Sequence, residues 1–216
     1  MIELVIFDCD GVLVDTERLA VRIEQAALAE LGWELSAEDL AERFIGCTDD
    51  HFEREVERMI GRPIPESWRA KVNARYREAF RTELSPVDGV VEALNAINHP
   101  TCVASNGSHR KMETTLGITG LYPRFAGRIF SAYDVKQGKP APDLFLHAAE
   151  QMGHPPERCV VVEDSANGVA AARAAGMHVY AYAGGLVPAQ RLAGPGTTVF
   201  ADMRELPDLI GPWLTR

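Results

Sequence analysis

Short apolar segments alternate with helical patterns along most of this 216-residue chain, and this alternation constrains the fold more than any other feature. The apolar segments are too short for buried helices and are typical of buried strands. Strands that alternate with helices build βαβ units, whose strands lie parallel in one sheet. The predicted strands are residues 2–7, 102–104, 129–130, 159–162, 179–182 and 198–200. The sequence therefore predicts an α/β fold with a doubly wound parallel sheet.

The alternation is interrupted between residues 16 and 83, where every pattern is helical. Three apolar stripes at helical spacing run through this segment, and Ser36 with Asp39 resembles a capping box for a further helix that reaches Phe44. The stripes are Leu19, Ile23, Ala27 and Leu31, then Phe52, Val56, Met59 and Ile60, and then Trp68, Val72, Tyr76 and Phe80. We therefore expect a helical domain at 16–83, inserted into a core domain made of 1–15 and 84–216.

The composition is that of a globular protein with an acidic balance. Hydrophobic residues make up 46% and charged residues 25% of the chain, which is ordinary for a folded domain. The formal charge of −9 repels nucleic acid and anionic membranes. No apolar run is long enough to span a bilayer, and the first residues lack the basic region of a signal peptide. The four cysteines form no C-x-x-C pair, so we expect free thiols and a cytoplasmic location. From the acidic charge we expect neither a nucleic-acid nor a membrane partner.

Polar clusters follow three of the predicted strands, and a fourth lies in a loop. Ligands of an open parallel sheet bind beyond the carboxyl ends of the strands, so we expect these clusters to converge at one edge. The clusters are Asp8-Cys9-Asp10-Gly11 after the first strand, Ser105-Asn106-Gly107 after the second, Glu163-Asp164-Ser165 after the fourth, and Gly138-Lys139-Pro140 before the helix around Leu144.

The residue types in these clusters suit phosphoryl transfer. Carboxylates are hard oxygen ligands for Mg²⁺, while a hydroxyl, backbone N–H groups and a lysine suit phosphate oxygens. One carboxylate beside a metal can act as a nucleophile, and a second, two residues later, can act as general acid and then base. Three of the clusters, taken alone, are more often a turn, a helix cap or a solvated charge. Asp8-Cys9-Asp10-Gly11 favours a functional site by itself, because two carboxylates beside a buried strand are costly without a metal or donors. The occurrence of all four clusters together strengthens the prediction further.

At these residues the chain resembles the haloacid dehalogenase superfamily, in its phosphatase branch. Motif one resembles residues 8–17, and the other motifs resemble Ser105-Asn106-Gly107, Lys139-Pro140 and Glu163-Asp164-Ser165. The resemblance covers the whole chain, because the family's helical cap is inserted where residues 16–83 lie. It implies a Rossmann-like α/β core with a helical cap, Mg²⁺ as cofactor, and hydrolysis of a small phosphorylated metabolite through an aspartyl-phosphate.

The resemblance also implies a role for each charged motif residue. Asp8 would be the nucleophile and a metal ligand. Asp10 would be the general acid and base, and its backbone carbonyl would also meet the metal. Asp164 would be a further metal ligand, with Glu163 at the metal site orienting bound water. Lys139 would neutralise the charge of Asp8 and of the transferred phosphoryl group.

Two groups of residues are implied in substrate binding. They are Ser105, Asn106 and Gly107 in the core, and Arg43, Gly46 and Thr48 in the cap. The core group would hold the phosphoryl group through a hydroxyl and backbone N–H groups, whereas the cap group matches the family's specificity loop, where Gly46 would allow close approach to a ligand. Thr48 or Asp49 could instead simply cap the helix that runs to Ile60. A closing cap would exclude bulky substrates, so we expect small metabolites. Nothing in the sequence indicates a stable partner, and we expect a monomer or weak homodimer.

Differences between this chain and individual groups of the family rank the activities that the resemblance allows. The family's dehalogenases lack the second motif-one Asp, so Asp10 favours a phosphatase. The β-phosphoglucomutases carry a His where Ala20 stands and an Arg where Asp49 stands. Both departures disfavour a phosphomutase, which ranks second as the alternative. The run 103–107, together with Lys111-Met112, resembles bacterial phosphatases of 6-phosphogluconate and similar acids. The substrate types considered are sugar phosphates, phosphogluconate and phosphoglycolate. A regulatory protein akin to signalling receiver domains ranks third, because receivers are half this length and lack a helical insert.

Overall fold

A parallel sheet forms the centre of the computed structural model, which describes residues 1–211. Its strands within that range are β1 (Leu4–Phe7), β2 (Thr101–Ser105), β3 (Ile129–Ser131), β4 (Cys159–Glu163), β5 (His178–Tyr182) and β6 (Thr197–Phe200). They are hydrogen-bonded in the order β3-β2-β1-β4-β5-β6, and every neighbouring pair is parallel. Each predicted strand is present, and the predicted α/β fold class is confirmed.

Helices cover both faces of this sheet, and a further group of helices lies between β1 and β2. The latter are α1 (Glu17–Ala29), α2 (Ala37–Phe44), α3 (Asp49–Ile60) and α4 (Glu66–Glu83). One face packs against α5 (Val90–Ala96), α6 (His109–Ile118), α7 (Tyr122–Phe125) and α11 (Leu206–Ile210), and the other against α8 (Asp143–Gln151), α9 (Ala166–Ala174) and α10 (Ala189–Leu192). The sheet is therefore doubly wound. No helix of the described range has the length and apolarity that crossing a membrane requires.

The central position of β1 in the sheet explains why Asp8, the first residue of the first motif, is buried. Its side chains alternate between the two faces, so Val5 and Phe7 pack into one core while Leu4 and Ile6 pack into the other. All four are fully buried, as expected for a strand covered by helices on both sides. Asp8 follows directly and is held at the end of this rigid strand.

The chain leaves the sheet and returns to it at adjacent points. The backbone N–H of Asp15 donates to Ser85 O at 3.0 Å, and that of Val87 donates to Leu13 O at 3.1 Å. Between these points α1 to α4 enclose an apolar core of their own, in which the Trp68 indole donates to Ala27 O at 3.0 Å. This arrangement agrees with an inserted helical cap, whose exact boundaries at 16–83 remain a prediction.

Strands β2 to β6 each extend one residue beyond the predicted strand at one or both ends, two other boundaries differ more, and one cap matches the prediction. Strand β1 begins at Leu4, two residues later than expected. Helix α1 ends at Ala29, so Leu31 packs against the cap core from the following turn rather than from the helix. The predicted capping box is present: Asp39 N donates to Ser36 Oγ at 3.0 Å, and Ser36 N donates to the Asp39 carboxylate at 3.2 Å.

Candidate active site

The carboxyl ends of β2, β1 and β4 lie side by side and bring the polar clusters to one place. Asp8 follows β1, Ser105 ends β2, and Glu163 ends β4 with Asp164 directly after it. Lys139 arrives from the loop before α8. Each of these five side chains belongs to a residue that is at most 6% exposed, so the cluster is buried. The predicted convergence at one sheet edge is what the structure shows.

A sharp turn after β1 lets the motif pass close to β4. Gly11 has φ +76°, a left-handed conformation that residues with a side chain rarely adopt. A Cβ atom added at Gly11 would lie 2.0 Å from Asp164 Oδ2, so there is no room for one. The glycine is thus required both by the turn and by the approach of the Asp164 carboxylate.

Lys139 bridges two buried carboxylates. Its Nζ lies 2.6 Å from Asp8 Oδ1 and 2.6 Å from Glu163 Oε1. Burial alone would lower the pKa of Lys139, but the two carboxylates more than offset it, so the pKa stands above its usual value. Burial raises the pKa of Asp8 to about 7, against the opposing effect of the Lys139 charge. The ammonium therefore fixes Asp8 by one oxygen, and among residues 1–211 no donor binds the other.

The carboxylates of Glu163 and Asp164 have different surroundings. Glu163 Oε2 accepts from Ser165 N at 2.8 Å and from Ser165 Oγ at 2.9 Å, so both Glu163 oxygens have protein partners. Asp164 is 2% exposed and accepts no hydrogen bond from the described residues. Burial raises its pKa well above the usual value, and the nearby Glu163 charge adds to the shift. A buried carboxylate without a donor is costly unless a cation is bound to it.

The residues present fit a hard metal ion. One ligand oxygen from each of Asp8, Glu163 and Asp164 lies within 4.8 Å of the other two. An oxygen-only donor set suits Mg²⁺ rather than a softer metal. Because the oxygens of Glu163 are already hydrogen-bonded, the free oxygens of Asp8 and Asp164 are the better ligands in this set.

The Asp10 side chain lies apart from that carboxylate triad. Thr16 Oγ1 donates to Asp10 Oδ1 at 2.7 Å, and Lys111 Nζ lies 3.0 Å from Asp10 Oδ2. This position leaves its backbone carbonyl as the group that could meet a metal, as the resemblance implies. The carboxylate borders the loop at Gly107, where an added Cβ would be 3.5 Å from Asp10 Oδ2. It is therefore placed beside the predicted phosphoryl site.

The loop after β2 is held in shape by side chains. Ser105 Oγ accepts from the backbone N–H of Gly107 at 3.2 Å, and Ser131 Oγ donates to Gly107 O at 2.7 Å. The Asn106 amide donates to Lys139 O at 3.1 Å and accepts from Lys139 N at 2.9 Å. It also donates to Gly46 O of the cap at 2.9 Å. The Asn106 side chain therefore joins three segments, and only its backbone N–H is left for a ligand.

The predicted cap residues divide into two that line the cavity and one that does not. Gly46 and Thr48 lie in its wall. Arg43 is exposed and lies outside it, because Leu40 and Phe44 take the inward side of α2. The space for a Gly46 side chain is filled by the core rather than by a ligand, since an added Cβ would be 2.5 Å from Ser165 Oγ. Thr48 Oγ1 accepts from His51 N at 3.2 Å, which is the helix-capping alternative.

A cavity of about 420 Å³ lies between the sheet edge and the cap helices, and several of its lining residues had no predicted role. They include Glu17, Glu24 and Tyr76. A signal for the first two exists in the sequence, because Glu17, Ala20, Val21 and Glu24 have the spacing of one helix face. Tyr76 belongs to a predicted apolar stripe, and only the packing of α4 against α1 brings its hydroxyl to Glu24.

Two glutamates in this cavity have unusual surroundings. Burial raises the pKa of Glu17 to about 8, and the charge of Asp10 adds to the shift. Burial likewise raises the pKa of Glu24 to about 7, although a hydrogen bond from Tyr76 Oη at 2.5 Å opposes it. Carboxylates with such shifts inside a cleft are typical of functional sites.

Comparison with known proteins gives consistent matches. The family model for haloacid dehalogenase-like hydrolases matches residues 2–176. A 6-phosphogluconate phosphatase of Escherichia coli (strain K12) is 33% identical over 96% of this chain and 94% of its own length. A phosphorylated carbohydrates phosphatase of Thermotoga maritima is 30% identical over 94% and 96%. The crystal structure of a haloacid dehalogenase-like protein from Agrobacterium tumefaciens str. C58 superposes with a TM-score of 0.83 at 40% identity, covering 97% of this chain and 98% of that one.

Proposed function

The chain belongs to the haloacid dehalogenase-like hydrolase family and is a phosphoric monoester hydrolase, and we propose that it cleaves small phosphorylated metabolites by way of an aspartyl-phosphate on Asp8. One observation carries this proposal. Asp8 is buried at the end of β1 and lines the cavity, it is held by Lys139 through one oxygen at 2.6 Å, and its other oxygen has no donor among residues 1–211. This is the arrangement that an in-line carboxylate nucleophile needs.

A metal ion belongs to the proposal. Asp8 and Asp164 would hold Mg²⁺ together with the backbone carbonyl of Asp10, and Glu163 would orient its bound water. Bound there, the ion would neutralise charge on the phosphoryl oxygens.

The residues of the chain divide the reaction into two displacements. Asp8 attacks phosphorus, the bond from phosphorus to the ester oxygen breaks, and Asp10 gives that oxygen a proton. Water then attacks the phosphorus of the aspartyl-phosphate while Asp10 accepts a proton from that water. The bond from phosphorus to Asp8 breaks, and phosphate is released. Ser105 and the loop N–H groups hold the phosphoryl oxygens, and Lys139 balances their charge. Positioning and charge neutralisation supply most of the rate.

The substrates we propose are sugar phosphates, phosphogluconate or phosphoglycolate. Relatives named for 6-phosphogluconate and for phosphorylated carbohydrates match nearly the whole chain, and a cavity of about 420 Å³ suits small esters. We also propose that the enzyme acts in the cytoplasm, which its four free cysteines favour.

The test is phosphate release from a panel of such esters, with Mg²⁺ and with EDTA. We expect metal-dependent release, and a loss of at least about 1000-fold in kcat for Asp8→Asn. Asp208→Asn, on the exposed side of α11, serves as the control and keeps full activity. Full turnover by Asp8→Asn would refute the nucleophile assignment.

A phosphomutase is the alternative function. It needs a proton-transfer partner and a second phosphate clamp in the cap, where this chain has Ala20 and Asp49. Activation by a sugar bisphosphate, with an isomerised product and little free phosphate, would favour the mutase over the phosphatase.

A further inference from the structure

One face of α1 lines part of the cavity. Glu17, Ala20, Val21 and Glu24 recur at the spacing of a single helix face, and all four line the cavity. Ala20 is small, so it leaves space between the two carboxylates. Tyr76, from α4, lies opposite and also lines the cavity.

The polar groups on this face have hydrogen-bonding capacity left for a ligand. Glu24 accepts from Tyr76 Oη at 2.5 Å through Oε1, which leaves its second oxygen without a donor among residues 1–211. Glu17 accepts no hydrogen bond from any described residue. A ligand that supplies hydroxyl donors would satisfy these acceptors, whereas an apolar ligand would leave them unpaired.

The cations of the same cavity are already paired with protein carboxylates. Lys111 Nζ lies 3.0 Å from Asp10. Arg69 donates to both oxygens of Glu53, at 3.2 and 2.9 Å, and to Glu57 at 3.2 Å. A carboxylate on the substrate would have to compete with these existing ion pairs. It would also lie beside Glu17 and Glu24. There it would either be repelled as a like charge, or one of the carboxyl groups would have to bind a proton.

We propose that Glu17, Glu24 and Tyr76 form a leaving-group subsite that selects uncharged, hydroxyl-rich leaving groups, such as polyols and sugars, over leaving groups that carry a carboxylate. This inference rests on the proposed phosphatase function and narrows its substrate class. Selection arises from hydrogen bonds to hydroxyls and from the unfavourable placement of one carboxylate beside two others. It singles out sugar and polyol phosphates among the three substrate types above.

A pair of matched esters tests the subsite. Sorbitol 6-phosphate and 6-phosphogluconate differ only at C1, which is a hydroxymethyl group in the first and a carboxylate in the second. We expect kcat/KM with Mg²⁺ to be about tenfold or more higher for sorbitol 6-phosphate. Preference for 6-phosphogluconate, the ester in the name of the Escherichia coli relative, would overturn the subsite.

Isosteric variants connect the preference to the named residues. Glu17→Gln and Glu24→Gln should each reduce the ratio of the two kcat/KM values at least about threefold, chiefly by raising kcat/KM for 6-phosphogluconate. Glu34→Gln removes the same charge from an exposed cap position outside the cavity and should leave the ratio unchanged. A ratio that neither cavity variant moves would overturn the assignment.

A reference ester separates this proposal from the function on which it rests. Hydrolysis of p-nitrophenyl phosphate without turnover of sorbitol 6-phosphate would overturn the subsite and leave the phosphatase intact. Failure to release phosphate from any ester, by folded enzyme with Mg²⁺, would overturn the proposed function and the subsite with it.

Discussion

Lys139 is the residue on which the charge balance of the site depends. It lies 2.6 Å from both Asp8 and Glu163, at a depth where solvent contributes almost nothing to either carboxylate. Removing one partner of a buried ion pair is far more damaging than replacing the whole pair, because a buried charge is then left uncompensated. The lysine therefore stabilises the fold as well as taking part in the proposed reaction.

Replacing Lys139 by methionine should reveal both effects. We expect Lys139→Met to lose about 3–5 kcal/mol of unfolding free energy in EDTA near neutral pH, and to lose activity when Mg²⁺ is restored. Urea denaturation measures the first and phosphate release the second. Lys71→Met breaks an exposed pair with Glu30 and should leave the unfolding free energy almost unchanged, because water screens that pair. Equal losses for the two variants would show that Lys139 is not a buried pairing residue.

Gly11 offers a second test at the residue scale. Gly11→Ala would combine an unfavourable φ with a Cβ placed 2.0 Å from Asp164 Oδ2, so it should displace that carboxylate and cost about 100-fold or more in kcat. Gly32 has a similar φ of +82° and nothing within 4 Å of an added Cβ. Gly32→Ala should therefore lose about 1–2 kcal/mol of stability while kcat stays unchanged. Comparable kcat for both variants would contradict the steric argument.

Among the elements, the connections between loops position the site as much as the strands do. The Asn106 amide binds the Lys139 loop through two hydrogen bonds and the cap turn at Gly46 through a third. Buried side-chain bonds of this kind are expensive to leave unmade. The loop after β2, the lysine loop and the cap therefore hold one another in place.

Asn106→Ala tests this connection. It leaves three backbone groups without their partner, so we expect a loss of about 1–3 kcal/mol in unfolding free energy and a fall in kcat/KM of roughly tenfold. Asn98→Ala removes one exposed bond to Ala96 O and is the matched control. If both variants behaved like the unmodified enzyme, the Asn106 connection would have no role in positioning the site.

The strands and most of the site residues could be predicted from the sequence, for an identifiable reason. An apolar run that ends in Asp8, Ser105 or Glu163 specifies both a buried strand and the polar group at its end. Glu24 and Tyr76 could not be assigned in this way, because their meeting depends on how α4 packs across α1. Lys111 reaches Asp10 only because α6 begins beside the loop after β2. Contacts between distant elements are fixed by tertiary packing, not by local pattern.

At the scale of the whole molecule, the two parts of the chain enclose a cavity rich in carboxylates. Burial raises the pKa of Glu24 from 4.5 to about 7, so the folded enzyme holds that proton more tightly than the unfolded chain does. A group of this kind favours folding at low pH, and its contribution is lost as the pH rises through the folded-state pKa. The stability of the enzyme should therefore fall between pH 5 and pH 8 in part because of this carboxyl group.

Glu24→Gln isolates that contribution, because glutamine does not titrate. We expect the variant to gain about 1 kcal/mol or more of stability relative to the unmodified enzyme as the pH is raised from 5 to 8, given about 1.4 kcal/mol per pKa unit. Urea denaturation of both proteins at several pH values measures it. Glu34→Gln should follow the unmodified enzyme at every pH. Parallel curves for Glu24→Gln and the unmodified enzyme would mean that Glu24 ionises normally.

The central claim is that Asp8 becomes phosphorylated during turnover. The most direct measurement mixes the enzyme with Mg²⁺ and a hydrolysed ester, quenches with acid, and treats the product with borohydride, which reduces an acyl phosphate to an alcohol. Mass spectrometry of the peptide containing residues 4–17 should then find homoserine at position 8, and only when the ester was present. Turnover of the ester with Asp8 unmodified, or with the reduction at another carboxylate such as Asp10 or Asp164, would contradict the account.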